Sequence, residues 1–215
     1  ASDASEEINK NIDDIIVGCA MPEGPQGLNI ARIATLLAGL PDSTPAYTLN
    51  RFCSSGLQSV SNAADLIKSG SADLVIAAGV ESMSSVPMTG FKPSMNPKIL
   101  SDKNISIAYG MGLTAEAVAN QYGVTREMQD EFAVNSHAKA EKAIDSGRFQ
   151  DDIVPIFIDE TYLDENEKQQ TRQIICETDE GVRRGTNMEG LARLRPVFDA
   201  RGSVTAGNAS QTSDG

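Results

Sequence analysis

The chain has no tryptophan, one histidine and three cysteines in 215 residues, and aromatic side chains make up only 5% of it. Basic residues are scarce too: 18 Lys and Arg stand against 30 Asp and Glu, a net charge of −12. Each shortage excludes something. The acid excess leaves no broad basic footprint, so no nucleic-acid partner is expected. An anionic ligand must instead be met by a local positive site. Cys19, Cys53 and Cys176 lie far apart with no CxxC pair, which argues against a disulfide scaffold and a zinc site; no metal is expected. That pattern fits a reducing compartment. No run approaches the roughly 18 apolar residues that cross a bilayer, so no membrane span is expected. The opening Ala1-Ser-Asp-Ala-Ser-Glu-Glu7 lacks the charged and apolar regions of a signal peptide.

What remains is ordinary for a globular protein: 40% hydrophobic and 22% charged residues. The length suits one domain, or one carrying a large insertion, and is enough to bury a core without disulfides or metal. The first part alternates. Ile15–Cys19 is a β-branched apolar run, a buried strand. Residues 21–27 hold two prolines and two glycines and form a loop. Ile30, Ile33, Ala34 and Leu37 recur at helical spacing within Asn29–Ala38, and Gly39-Leu-Pro41 stops that helix. Ala46–Asn50 is a second strand. Leu57, Val60, Ala64 and Ile67 share one face of a helix over Gly56–Ser69, closed by Gly70. Leu74–Val80 is a continuous apolar run, expected to be a strand buried on both faces. This order implies a parallel sheet covered by helices.

The texture then changes. Residues 82–108, rich in Ser, Pro, Met and Lys, predict loop. Thr114 is placed as the N-cap of a helix through Gln121 that ends near Gly123. Thr125 caps another, with Glu127 in its first turn, Met128, Phe132, Ala140 and Ile144 inward, and Gly147 at its end. Ile153–Ile158 and Gln173–Glu177 predict strands about a polar hairpin-like segment. Ser203–Gly207 predicts a short extended piece.

Cys53 is the first candidate for chemistry. It lies between a predicted strand and a predicted helix, in Asn50-Arg-Phe-Cys-Ser-Ser-Gly-Leu57. A cysteine at a helix N-terminus feels the positive end of the dipole, which favours a thiolate. The small residues after it let backbone approach a substrate. Such a turn also opens at the carboxyl edge of the sheet, where α/β proteins bind ligands. The residue pattern leaves two readings open, an acyl-accepting nucleophile or a buried structural thiol. Cys19 and Cys176 fall in apolar strands and are expected to be structural.

A nucleophilic cysteine ordinarily needs a base, and the only histidine is His137. Its place mid-helix, one turn before Glu141, suits a border residue paired i,i+4. Arg183-Arg184-Gly185 is the sharpest basic cluster, either a phosphate site or a solvated basic face. Gly110-Met-Gly112 precedes a helix start but lacks the nucleotide-loop patterns. Gly79-Val-Glu-Ser-Met-Ser84 ends a strand, either ligand-facing or a plain turn.

Taken together, these segments resemble the thiolase family. Asn50-Arg-Phe-Cys-Ser-Ser-Gly56 is similar to its acyl-enzyme motif, and Gly79-Val-Glu-Ser-Met-Ser84 to the strand end that follows. Met111-Gly-Leu-Thr-Ala-Glu116 and Leu194-Arg-Pro-Val-Phe198 resemble its loop-domain motifs. Val204-Thr-Ala-Gly-Asn-Ala-Ser210, with Ser213-Asp-Gly215, resembles its return into the core. Order and spacing match from about Ile12 onward.

The resemblance implies an α/β, thiolase-like layered fold with an inserted loop domain. Residues 12–84 would form the N-terminal core, 85–207 the inserted CoA-binding loop domain, and 208–215 the start of the return. It implies an acyltransferase that cleaves 3-ketoacyl-CoA with CoA, as in fatty-acid β-oxidation. Cys53 would take the acyl group. Met111, Arg183, Leu194, Phe198, Ala206, Gly207 and Ser210 would bind CoA, with Arg184 able to replace Arg183 after a one-residue slip. No bound cofactor is expected; coenzyme A is a co-substrate and acyl-CoA the other ligand. A homodimer or homotetramer is implied, paired around the edge strand near Ala46–Asn50. The location would be cytoplasmic in a bacterium, peroxisomal or mitochondrial in a eukaryote.

Two departures shape this expectation. Family members that make acetoacetyl-CoA usually have a histidine just before the Met-Gly of the loop motif; here that residue is Gly110. With Asn50-Arg in place of Asn-Gln, this leans toward the degradative members. The family's Gly-His-Pro and Cys-x-Gly-Gly motifs, which carry its activating histidine and acid/base cysteine, do not occur here. His137 matches neither. The chain thus resembles the N-terminal half of a thiolase without its first strand and helix, and is expected to be inactive by itself. Three other readings stay open: a biosynthetic acetoacetyl-CoA thiolase, a decarboxylative condensing enzyme, and a non-catalytic acyl-CoA- or lipid-binding relative.

Overall fold

The structure is a computed structural model that describes residues 7–101 and 110–215. The chain divides into two compact units, one of residues 1–98 and 212–215, the other of residues 99–211.

The first unit is built on three parallel strands in the order β2-β1-β3. Strand β1 is Asp14–Gly18, β2 is Ala46–Leu49 and β3 is Val75–Gly79. β1 is central because it is the most apolar: Ile15, Ile16 and Val17 are all buried. Each such side chain contributes on the order of 1.5–3 kcal/mol by leaving water. Leu40, Ala46, Ala78 and Val80 pack around a core of Ile12, Ile15, Val17 and Ala31. Helix α1, Ile30–Leu37, lies on β1 and β2, and α2, Ser55–Lys68, packs on all three strands. Asn29 caps α1 by accepting from the Arg32 N–H at 3.4 Å. α2 is joined to β3 by the buried Ser59 hydroxyl, which donates to the Ala78 carbonyl at 3.0 Å.

In register, Gly18 stands beside Leu49 on one side and Gly79 on the other. The strands therefore end together, and the loops that leave them share one edge. The strand order also reverses at β1, the place where open α/β sheets form a ligand crevice.

Departures from expectation begin in this part of the chain. β3 is only half-covered, with Ile76 39% exposed. An apolar run shows that a strand avoids water but cannot say which covering layers a given stretch of chain supplies. The segment 82–108 also contains a short helix, α3, Pro97–Ser101; the part of that loop expectation over 102–108 lies outside the described residues. So do residues 1–6 of the non-signal opening.

The second unit holds helices α4, Met111–Tyr122, α5, Arg126–Asp145, and α6, Met188–Ala192, with an antiparallel hairpin of β4, Ile156–Leu163, and β5, Gln169–Cys176. α4 starts three residues before Thr114, capped by the backbone of Gly110, and stops at Gly123, whose φ of +66° is the left-handed turn that ends helices. The Thr125 hydroxyl caps α5 by accepting from the Met128 N–H at 3.2 Å. Met128 and Phe132 do not point inward; Phe132 is 77% exposed. Cys176 is exposed as well, because among the described residues β4 and β5 pair only with each other and most of both faces is open. Both strands are longer and shifted relative to the sequence expectation.

Two buried carboxylates order the rest of this unit. Glu116 on α4 accepts from the Ser203 N–H at 2.9 Å and the Val204 N–H at 2.8 Å. Asp130 on α5 accepts from Arg126 at 2.8 Å and from the Asn208 amide at 2.9 Å. The segment 203–208 is thereby fixed on two helices, and Pro196 pairs with Thr205 in an isolated bridge.

Candidate active site

Cys53 stands on the turn between β2 and α2, exposed, two residues before the helix begins. The turn is unusual. Phe52 has φ +47°, the left-handed region, which costs a non-glycine residue on the order of 1–3 kcal/mol and is found where surrounding contacts enforce it. Here they do. The Phe52 N–H donates to the Asn50 side-chain oxygen at 2.8 Å. The Phe52 carbonyl accepts from the Ser55 hydroxyl at 2.6 Å and the Ser55 N–H at 2.9 Å. The same hydroxyl accepts from the Arg51 N–H at 2.9 Å. Three backbone groups ahead of the cysteine, the Arg51 N–H and the Phe52 N–H and carbonyl, are held by two short polar side chains.

The start of α2 sits hard against the end of β1. A Cβ added at Gly18 would come within 2.6 Å of the Gly56 nitrogen and the Ser55 carbonyl oxygen. Only glycine lets the backbones approach so closely. The helix dipole and its free N–H groups are thus brought to the carboxyl edge of the sheet beside an exposed thiol.

Glu81, just past β3, organises the adjoining loop. Its carboxylate accepts from the Ala20 N–H at 2.7 Å, the Met21 N–H at 3.3 Å and the Gln26 amide at 2.5 Å. Gln26, itself buried, accepts from the Ser82 N–H at 2.6 Å. Burial pushes the neighbouring Cys19 thiol up in pKa, and the Glu81 charge adds to this. Cys19 is thus closed off from solvent, and Glu81 clamps the backbone of Ala20 and Met21. Asp214 donates nothing but accepts from both the Ser84 N–H, at 2.7 Å, and its hydroxyl, at 2.5 Å. The Ser84 hydroxyl and backbone hold the Asp214 carboxyl below the usual range. The motif at 79–84 and the Ser213-Asp-Gly215 end are in this way neighbours, with Glu81 and Gly215 exchanging backbone hydrogen bonds at 2.5 and 2.7 Å.

In the second unit, most of the residues singled out for CoA fall on two paired segments. The Val197 N–H donates to the Val204 carbonyl at 3.1 Å. Leu194 lies against Gly207, where an added Cβ would come within 2.5 Å of its side chain. Phe198 rests on Gly112, next to Met111. Met111, 66% exposed, Phe198 at 46% and Leu194 at 38% give an apolar surface open to solvent. Ala206 and Ser210 follow on the same segment, also exposed.

Arg183 stands apart from that cluster, on a turn held to α5. Its N–H donates to His137 Nδ1 at 3.3 Å. His137 therefore meets the arginine turn rather than Glu141. Arg184 pairs with Glu141 at 3.2 Å and Asp145 at 2.6 Å; Asp145 raises the Arg184 pKa, and the Arg184 hydrogen bond lowers that of Asp145. Arg183 makes no side-chain ion pair among the described residues. Two open hollows of about 520 and 500 Å³ lie in this unit, beside Ala138, Glu141 and Asp145 and beside Arg126, Asp130 and Met188, and none of the expected site residues lines them. No metal-ligating cluster occurs among the described residues, and no described helix is long and apolar enough to cross a membrane.

The first unit is thus an α/β layer with a parallel sheet and an exposed thiol on a strained strand-to-helix turn. Comparison gives the family. A family model described as the thiolase N-terminal domain matches residues 4–215. The 3-ketoacyl-CoA thiolase of Bacillus subtilis is 52% identical over 205 residues, which cover 95% of this chain and 52% of that protein. Peroxisomal 3-ketoacyl-CoA thiolase 5 of Arabidopsis thaliana is 45% identical over 207 residues, covering 95% and 44%. The crystal structure of the Bacillus anthracis acetyl-CoA acetyltransferase superposes with a TM-score of 0.78 at 39% identity, over 96% of this chain and 52% of that one. The chain belongs to the thiolase family and has its α/β fold, and it spans about half the length of the relatives it matches.

Proposed function

We propose that this chain is the acyl-accepting part of a degradative 3-ketoacyl-CoA thiolase acting in fatty-acid β-oxidation. The observation that carries this is Cys53: an exposed thiol on an enforced left-handed turn, at the start of a helix pressed against the sheet edge. The Cys53 thiolate attacks the C3 carbonyl of a 3-ketoacyl-CoA. The C2–C3 bond then breaks, its electron pair and a proton end on C2, and acetyl-CoA leaves while the shortened acyl group stays on sulfur. The thiol of a second CoA attacks that thioester, its proton passes to a base, and Cys53 is regenerated as acyl-CoA departs. Dividing the reaction through a thioester replaces one hard step with two easier ones. The Cys53 N–H, near the helix N-terminus, is the oxyanion donor we assign.

Residues 85–207 act as the inserted CoA-binding domain. Met111, Leu194, Phe198, Ala206, Gly207 and Ser210 face pantetheine and adenine, and Arg183 takes the phosphates. Support for Arg183 over Arg184 is that Glu141 and Asp145 already occupy Arg184. The base and the second acid/base group come from outside these 215 residues, so the chain alone binds without turning over. The working protein is a homodimer or homotetramer. Its compartment is the cytoplasm in a bacterium, or the peroxisome or mitochondrion in a eukaryote.

The test is thiolysis by the protein that carries this chain, on 3-ketoacyl-CoA substrates from four-carbon to long-chain acyl groups. Turnover of the longer substrates that disappears in Cys53→Ala supports the proposal. Turnover confined to acetoacetyl-CoA would favour a biosynthetic thiolase. CoA binding without any turnover would favour a non-catalytic relative.

A further inference from the structure

The mechanism above gives no part to Asn50 or Glu81, yet both converge on the Cys53 turn. Asn50 uses both ends of its amide. Its nitrogen donates to the Ala20 carbonyl at 2.9 Å, and its oxygen accepts from the Phe52 N–H at 2.8 Å. The first bond reaches the loop after β1; the second holds the strained residue directly before the cysteine. Ala20 is in turn fixed by its own N–H, which donates to Glu81 at 2.7 Å. A continuous line of hydrogen bonds therefore runs from the end of β3, through the loop after β1, to the turn after β2.

We propose that Asn50 is a positioning residue for Cys53, anchored through Ala20 by Glu81. This rests on the reading of Cys53 as the acyl acceptor. A left-handed Phe52 is unfavourable unless enforced, and its two backbone polar groups have two enforcers, Ser55 on the carbonyl and Asn50 on the N–H. Without Asn50 the N–H side of Phe52 is released, and the peptide ahead of Cys53 relaxes toward ordinary φ. The thiol then leaves the helix N-terminus where its attack is aimed. A side chain that only stabilised the fold would have no reason to bridge two different strand ends at the residue before the nucleophile.

The experiment measures the rate at which Cys53 is acetylated by acetyl-CoA in a single turnover, as a function of pH, in the protein that carries this chain. Variants are Asn50→Ala, Asn50→Asp and Glu81→Gln, each studied well below its own Tm. Asn50→Ala should slow acetylation by about 10- to 100-fold, the effect of a shift of order 1 Å at a reacting group, with the KM for CoA changed less than about twofold. Asn50→Asp keeps the acceptor for the Phe52 N–H but loses the donor to Ala20, so it should be slowed less than Asn50→Ala. Glu81→Gln, which faces donors with an amide nitrogen, should be slowed with unchanged KM. The proposal is overturned if folded Asn50→Ala acetylates at the parent rate, or if only Tm falls. Should Asn50→Ala fail to fold, parent-like rates in Asn50→Asp and Glu81→Gln overturn it equally. If the parent itself takes no acetyl group, the acyl-acceptor reading fails and this inference with it; a normal parent with parent-like variants defeats this inference alone.

Discussion

Replacing Gly18 by alanine should damage both the stability of the first unit and the chemistry of Cys53, although residue 18 carries no functional group. The new Cβ would lie 2.6 Å from the Gly56 nitrogen and the Ser55 carbonyl oxygen, where ordinary contact is 3.4–4 Å. Both obstacles are backbone, so no side chain can swing away. The first turn of α2 must retreat from β1 by about 1 Å. Overpacking of this kind costs about 1–3 kcal/mol, offset in part by the about 0.4–1 kcal/mol that Gly→Ala gains in the unfolded chain. A net loss of about 1 kcal/mol in a unit of about 100 residues lowers Tm by about 4–8 °C. Cys53 is two residues from Ser55, so a retreat of this size should also slow its acylation by about 100-fold. Gly79→Ala is the matched control, because its Cβ would meet nothing nearer than 3.8 Å; it should leave Tm unchanged or slightly raised. The assays are thermal unfolding by circular dichroism and Cys53 acylation followed by mass spectrometry. Equal Tm and equal acylation for Gly18→Ala and Gly79→Ala would refute the close-packed turn as the source of the site's geometry.

Further outcomes follow from the second unit. Arg183→Ala should weaken CoA binding by about 10-fold or more, the scale of losing one charged hydrogen-bond partner, whereas Arg184→Ala should weaken it less; titration calorimetry distinguishes them, and the reverse order would move the phosphate role to Arg184. Glu116→Ala leaves the N–H groups of Ser203 and buried Val204 unpaired and should cost about 2–4 kcal/mol, read as lost amide protection over 203–208. Asp145 should titrate below the ordinary carboxylate range because of Arg184. Its folded pKa is depressed, so its contribution to stability is complete above the unfolded value of about 3.9 and is lost as pH falls through the lower folded value. Carboxyl NMR shifts should show this, and Arg184→Ala should return Asp145 to the ordinary range.

The strand–helix alternation of the first unit was legible in residues 15–80 because three short β-branched runs alternate with helical periodicity and each helix ends on glycine. No strand or helix boundary observed there differs by more than one residue. What covers each element was less legible. Ile76, Met128 and Phe132 sit in patterns that read as buried, yet all three are exposed, because periodicity shows which residues share a face and not whether this stretch of chain provides a layer to cover it. Cys53 was visible as a strand-to-helix cysteine, and the small residues after it hinted at close backbone approach. The left-handed Phe52 was not visible, since it is neither Gly nor Asn; its conformation is set by Asn50 and Ser55, and the bridge from Asn50 to Ala20 spans 30 residues. Arg183 and Arg184 were indistinguishable by composition. Their difference arises from the spacing of Glu141 and Asp145, one turn apart on α5 and both facing Arg184.

The central claim is that Cys53 accepts the acyl group, and the most direct measurement is the mass of the peptide containing Cys53 after brief exposure of the protein that carries this chain to acetyl-CoA. The account predicts one acetyl group on Cys53, none on Cys19 or Cys176, its removal by added CoA, and protection of Cys53 from iodoacetamide while it is present. An unmodified Cys53, or an acetyl group carried on another residue and transferred to CoA as fast in Cys53→Ala, would contradict it.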